Sequence, residues 1–165
     1  MVKFQDVATV GNVSPVREHY LETLHLVERL HRHLLDVIKD ELDRRDEREI
    51  NSIQALLLFN VGDEELTHGE LRTRGHYLGI NVSHNLKKLV EGGYMHHERP
   101  EYDRRSVLVR LTRKGEAVRD MLRELFDRHL MSLEAVSNVG IDHLDNVNTT
   151  LKRLMWWLRS SAYSC

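Results

Sequence analysis

Six side chains between Asn81 and Lys88 offer amide, hydroxyl, imidazole and ammonium groups within eight residues: Asn81, Ser83, His84, Asn85, Lys87 and Lys88. Short polar groups near the start of a helix can reach base edges in the major groove of duplex DNA without clashing. An asparagine can bond adenine at two points, and a lysine can reach guanine or a phosphate. Lys87 falls on or beside the reading face, and Lys88 flanks the backbone. Val82, Leu86 and Leu89 recur at helical spacing and would seat the helix against a core. Local roles remain open for two of these groups: Asn81 also fits a helix cap, and Ser83 a hydrogen bond to nearby backbone.

A second constellation follows at Asp103, Arg104 and Arg105. A carboxylate beside two guanidinium groups can hold one in place while the other projects. A projecting arginine suits the narrow, electronegative minor groove. Arg105 is the expected inserted residue and Arg104 the expected phosphate contact.

These groups need elements to hold them. Ser14-Pro15 is read as the cap and first position of a long helix. Its apolar residues Tyr20, Leu24, Val27, Leu30, Leu34, Val37, Ile38 and Leu42 form one stripe over roughly 45 Å. A helix so long in a small domain is expected to pack against a partner chain as well as its own core. The charged run Asp43–Glu49 reads as a solvated turn. Ile50–Val61 reads as a second helix stopped by Gly62, with Ile53, Leu56, Leu57 and Phe59 supplying its apolar surface. Thr67 and Glu70 have capping-box spacing and open a short third helix to about Arg74. The turn Gly75–Gly79 then leads to a reading helix from Asn81 to about Glu91, ended by Gly92-Gly93. Two short helices joined by a glycine-containing turn make a helix-turn-helix. Tyr94–Arg99 and Ser106–Leu111 read as strands of a hairpin with its tip at Pro100–Arg105. Thr112 caps a helix carrying Val118, Met121, Leu122, Leu125, Phe126 and Leu130. Gly140 and Asp142 precede a last helix with Leu144, Val147, Leu151, Leu154 and Leu158. The expected fold is mainly α with a small two- to three-stranded antiparallel sheet, a winged helix-turn-helix flanked by N- and C-terminal dimerisation helices. The limits are 1–165 for the single domain, 50–115 for the DNA-binding lobe, and 14–48 and 116–162 for the dimerisation helices.

Composition sets bounds. The chain has 165 residues, 41% hydrophobic and 30% charged, as expected of one helix-rich domain. The net charge of −2 conceals a division. Residues 66–115 hold ten Lys/Arg against five acids, or +5, whereas 17–65 hold seven against thirteen, or −6. Phosphate responds to the local field, so the positive half is the expected DNA face. No apolar run is long enough for a bilayer span, the N-terminus lacks a signal-peptide pattern, and Cys165 is the single cysteine. A cytoplasmic protein without an internal disulfide is expected. No catalytic constellation, phosphate loop or metalloprotease helix motif occurs, so an enzyme is not expected. No cofactor is expected.

Asp103-x-Arg105 followed by Leu111-Thr112-x-x-Gly115 resembles the wing signature of the MarR family of winged-helix transcription regulators, and the element order matches along nearly the whole chain. The stretch Asn81-Val82-Ser83-x-Asn85-Leu86-Lys87-Lys88-Leu89 is similar to an LdtR-type sub-branch. Gly75–Gly79 is richer in glycine than the family pattern. The resemblance implies a homodimer with interlocking outer helices, and a small, often aromatic, organic effector bound between the dimerisation and DNA-binding lobes. The expected protein is a bacterial regulator that represses by occluding a promoter and is released or modulated by the effector, with activation at some promoters open to the same contact.

Trp156 and Trp157 support a dimer independently, because one chain's core does not readily take both; a two-fold dimer reads a pseudo-palindrome. The effector site is not marked, although His25, Arg29 and neighbouring apolar residues of the first two helices could border it. Eleven histidines invite a metal-responsive alternative. His25 and His31 fall on different faces, however, and His31 and His33 diverge, so no metal site is assigned. A sequence-indifferent architectural DNA binder is the other alternative; the amides of the reading helix speak against it.

Overall fold

The computed structural model describes residues 13–67, 70, 80–98 and 108–161. Their elements are α1 (Val13–Arg44), α2 (Ser52–Val61), β1 (Leu66–Thr67), α3 (Ile80–Glu91), β2 (Met95–Glu98), β3 (Leu108–Leu111), α4 (Arg113–Ser137) and α5 (Ile141–Ser161). The described part of the expected third helix is Glu70; the glycine-containing turn, the wing tip with Asp103, Arg104 and Arg105, and Cys165 lie outside the described residues.

The chain divides into two compact units, residues 1–119 and 120–165. In the first, α1 already includes Val13, so Ser14 lies inside the helix rather than capping it. A proline in an opening turn is tolerated because the N–H it lacks has no intrahelical acceptor there. α1 ends at Arg44 and Asp46 turns the chain at φ 56°. α2 starts two residues later than Ile50, because Asn51 caps it: the Asn51 side chain accepts from the Gln54 N–H at 2.9 Å and the Gln54 side chain accepts from the Asn51 N–H at 3.0 Å. Gly62 ends it, as expected.

α2 buries Ala55, Leu57, Leu58 and Val61, whereas Leu56 and Phe59 are half-buried and Ile53 is exposed. The helix is apolar almost all round, so periodicity alone picks its inward face poorly. Ile38 and Leu42 of α1 and Leu66, Leu86, Leu89, Tyr94, Met95, Val109, Leu111 and Val118 are also buried. β3 is the central strand of an antiparallel sheet ordered β1-β3-β2. Leu66 pairs with Val109, and Met95 with Leu111. The third strand, β1, is two residues long and carries no alternation to read in the sequence.

The second unit holds the rest of α4 and all of α5. Asn138 ends α4 at φ 57°, and the Gly140 N–H donates to His143 Nδ1 at 3.2 Å at the start of α5. Met121, Leu122 and Leu125 are buried, but Leu130, Met131 and Val136 are exposed, and α5 buries no residue.

Candidate nucleic-acid interface

Leu86 and Leu89 are buried and fix the rotation of α3. His84, Lys87, Lys88 and Glu91, about opposite that stripe on a helix of 3.6 residues per turn, are exposed. Asn81 lies in the first turn of α3. Ser83 is exposed and Asn85 half-buried. Positions two apart point about 200° from one another, so Ser83 and Asn85 occupy opposite flanks with His84 between them. The polar groups singled out in the sequence therefore do not share one face. Lys87 pairs with Glu91 at 3.7 Å, an exposed (i, i+4) contact of small energetic weight. Val90 is half-buried, completing an apolar side of three residues with Leu86 and Leu89.

The C-terminal end of α3 is locked more tightly. The Gly93 N–H donates to the Val90 carbonyl at 3.0 Å and the Tyr94 N–H to the Leu89 carbonyl at 2.8 Å. This is a Schellman stop, and Gly93 takes the left-handed φ of 75° that it requires. Tyr94 then turns inward and is buried, and its hydroxyl donates towards Glu47 Oε1 at 2.9 Å and Glu49 Oε2 at 3.2 Å. Lys114 Nζ lies 4.1 Å from the centre of the Tyr94 ring, bonds Glu49 and donates to the Gly92 carbonyl at 3.2 Å. Burial, then the Glu47 and Glu49 carboxylates, push the Tyr94 hydroxyl far above its ordinary range. The Lys114 hydrogen bond, then the Tyr94 hydroxyl, hold Glu49 below the usual carboxylate range.

The same junction explains Leu111-Thr112-x-x-Gly115. Thr112 caps α4 by accepting from the Gly115 N–H at 3.2 Å, and its hydroxyl donates to the Gly93 carbonyl at 2.6 Å. The Thr112 N–H donates to the Tyr94 carbonyl at 3.1 Å. A β-carbon on Gly115 would stand 2.1 Å from that Tyr94 oxygen, so only glycine lets α4 start here. The reading helix, the base of the ribbon and the α1–α2 turn thus meet at one residue, Tyr94. Read from sequence, Asp43–Glu49 is solvent-facing charge, and this role of Glu47 and Glu49 is missed. Gly-Gly-Tyr and Thr-x-x-Gly mark the turns, but partners 45 to 65 residues apart leave no spacing signal.

Across the ribbon, Arg110 donates to Glu98 at 3.2 Å and approaches Glu65 at 3.6 Å, tying β3 to both sides of the sheet. Arg119, almost buried, bonds Asp63 and reaches the Gly62 carbonyl at the end of α2, where a cation complements the helix dipole. The Thr67–Glu70 capping pair is formed, with the Thr67 N–H donating to Glu70 Oε2 at 2.7 Å and the Glu70 N–H to Thr67 Oγ1 at 3.1 Å.

Away from this lobe, His25 and Arg29 line a surface depression with Glu18, Leu21, Glu22 and Leu26. All six belong to α1, so no residue of the second helix joins His25 and Arg29 in lining this depression. Among the described residues no three His, Cys, Asp or Glu side chains are grouped to hold a metal ion, and no helix is long and apolar enough to cross a membrane.

Residues 50–115 match the winged helix DNA-binding domain family. Over 105 residues the chain is 36% identical to the exopolysaccharide II synthesis transcriptional activator ExpG of Rhizobium meliloti (strain 1021). That match covers 64% of this chain and 54% of ExpG, so the chain spans about half the length of the curated relative it matches. A mutant MarR from E. coli, solved in complex with operator DNA, is similar with a TM-score of 0.64 and 20% identity, over 82% of this chain and 95% of that one. Bordetella bronchiseptica BpsR, whose DNA binding is regulated by 6-hydroxynicotinic acid, is similar with a TM-score of 0.63 and 15% identity, over 81% of this chain and 98% of that one.

Proposed function

We propose that this chain, whose fold is that of MarR and whose residues 50–115 match the winged helix DNA-binding domain family, regulates transcription as a homodimer bound to a pseudo-palindromic operator. The carrying observation is the seating of α3: buried Leu86 and Leu89 on one side, exposed His84, Lys87 and Lys88 on the other. A helix so presented, in a segment of local charge +5, suits a major groove. Asn81, Ser83, His84 and Asn85 are assigned to base edges, with Ser83 and Asn85 reading from opposite flanks. Lys87 and Lys88 are assigned to the backbone. Arg105 is assigned to the minor groove, with Asp103 and Arg104 beside it.

Dimerisation is supported by apolar surface that the single chain leaves uncovered: Leu26, Val27 and Leu30 on α1, and Leu144, Val147, Trp156 and Trp157 on α5. Uncovered aromatic and aliphatic stripes on long helices are the ordinary mark of a protein interface. A small organic effector is supported by the likeness to BpsR. The α1 depression, walled on one side, needs a second wall before it can enclose such a molecule. Effector binding would shift the population whose two reading helices fit successive grooves. Occlusion of a promoter remains the first mode of action; the likeness to ExpG, an activator, favours a second mode in which the same contact recruits polymerase. A cytoplasmic location belongs to the same proposal.

Fluorescence-anisotropy titration tests it, using duplex DNA from upstream of the protein's own gene against random duplex at physiological salt. A preference of about a thousandfold or more, at dimer stoichiometry, is expected. Equal binding to both would replace this reading with an architectural one.

A further inference from the structure

β2 alternates as a half-buried strand does. Met95 points into the core, and His96 and Glu98 lie on the outer face with Arg110, which pairs with His96 in register and bonds Glu98. His97 is on the side of Met95, opposite buried Val109, yet it is exposed. It is exposed because it meets the flank of α3 rather than the core. Among the described residues, Ser83, Leu86, Lys87, Val90 and Glu91 of α3 and His97 of β2 line one cleft of about 360 Å³. The titratable groups facing His97 there are the Lys87 ammonium and the Glu91 carboxylate, themselves 3.7 Å apart.

We propose that this cleft holds a DNA backbone phosphate gripped by Lys87 from the reading helix and His97 from the wing strand, with the Ser83 hydroxyl at its edge. The inference rests on the DNA-binding reading above and adds His97, on the wing strand, to the backbone contact there assigned to Lys87. A helix in the major groove and a ribbon reaching the adjacent minor groove must straddle one sugar-phosphate strand. That strand carries a charge about every 3.4 Å, and it runs through the gap between the two elements. The gap is this cleft. Leu86 and Val90 supply its apolar lining, while Lys87 comes from α3 and His97 from β2. A lysine ammonium stays charged throughout the working range, whereas an imidazole gains its charge as pH falls between about 8 and 5. The grip therefore tightens with falling pH, and Glu91 gives up its long contact with Lys87 to the phosphate.

A phosphate contact is indifferent to sequence, so random duplex of roughly 30 base pairs serves as the probe. Binding of wild type, H97Q and H97R is measured from about 50 to 200 mM salt, at about pH 6 and about pH 8. Wild type is expected to show a salt slope steeper by about one at the lower pH than H97Q, and an affinity about fivefold higher. H97R is expected to keep the steep slope at both pH values. His84 and His96 are present in every variant, so the difference between variants isolates His97. If wild type binds duplex and H97Q matches its slope and affinity at both pH values, the phosphate grip is overturned while DNA binding stands. If H97R behaves as H97Q, charge at this position is irrelevant and the grip is likewise overturned. If wild type binds no duplex at all, the DNA-binding reading falls and takes this proposal with it.

Discussion

α2 and α5 both carry apolar residues, seven of ten in α2 and nine of 21 in α5, but they finish differently. α2 buries Ala55, Leu57, Leu58 and Val61 within its own chain, with Leu58 at 0% exposure. α5, twice as long, buries nothing, and Trp156 remains 70% exposed. α1 contains both behaviours in one helix: Ile38 and Leu42 are buried near its end, while Leu30 is 69% exposed. A periodic stripe says that a face wants covering. It does not say whether the same chain covers it. The contrast is that α2 completes its burial within its own chain, whereas α5 and the first part of α1 keep apolar surface uncovered.

Leu58→Ala tests the finished half and should have the largest effect, costing about 2–5 kcal/mol of folding stability. The loss should be the same at low and high protein concentration, as read from urea midpoints. A concentration-dependent loss would mean that α2 also contributes to an interface, and the contrast with α5 would collapse. Trp156→Ala tests the unfinished half. It should weaken self-association by about 2 kcal/mol, roughly thirtyfold in the dimer dissociation constant by sedimentation. Monomeric wild type at micromolar concentration would instead leave the exposed stripe of α5 without the occupant argued here.

Within the DNA-binding lobe the same contrast recurs on a smaller scale, between groups that specify and groups that hold. Asn85→Ala should cost about 1–3 kcal/mol at a preferred operator and relax preference at one base position. Arg105→Ala should weaken binding across operator variants alike. An Asn85→Ala variant with unchanged affinity and preference would transfer base reading to His84, which faces outward.

Much of this is legible because local rules suffice. Thr112 as a cap, Gly62 and Gly92-Gly93 as stops, the Thr67–Glu70 capping pair, and Leu86 and Leu89 as the seat of α3 follow from spacing of three or four residues. β3 is readable from Val109 and Leu111 alternating with Arg110. β1 is not, because two residues hold no period, and their strand character comes from pairing with Val109 and Leu108. The Asn51 cap is hidden because an acidic and basic run precedes it and Ile50 looks like a helix start. Asp43–Glu49 misleads for a deeper reason. Charge runs are usually solvated, and only the fold brings Tyr94 and Lys114 to Glu47 and Glu49.

That last contact gives the smallest expected effect and sets the finished lobe against pH. Lys114 and the Tyr94 hydroxyl lower the pKa of Glu49 in the folded protein. A carboxylate with a depressed folded pKa contributes stability above its unfolded value, here 4.5, and loses it as pH falls through the lower folded value. Glu49 is exposed, so solvent screens the contact and the contribution is small. Urea midpoints of wild type and Glu49→Gln should therefore differ slightly at neutral pH, with wild type higher, and the gap should close as pH falls from 4.5 through the lower folded value. Tyr94→Phe should behave differently, since it removes a donor that both carboxylates use. It should lower the midpoint at neutral pH. It should also shrink the effect of adding Glu49→Gln, because Glu47 and Glu49 share that hydroxyl. Additive losses across the pH range would show that the α1–α2 turn and the ribbon base are held independently. Coupled losses would establish Tyr94 as the single post on which the reading helix, the ribbon and that turn are mounted.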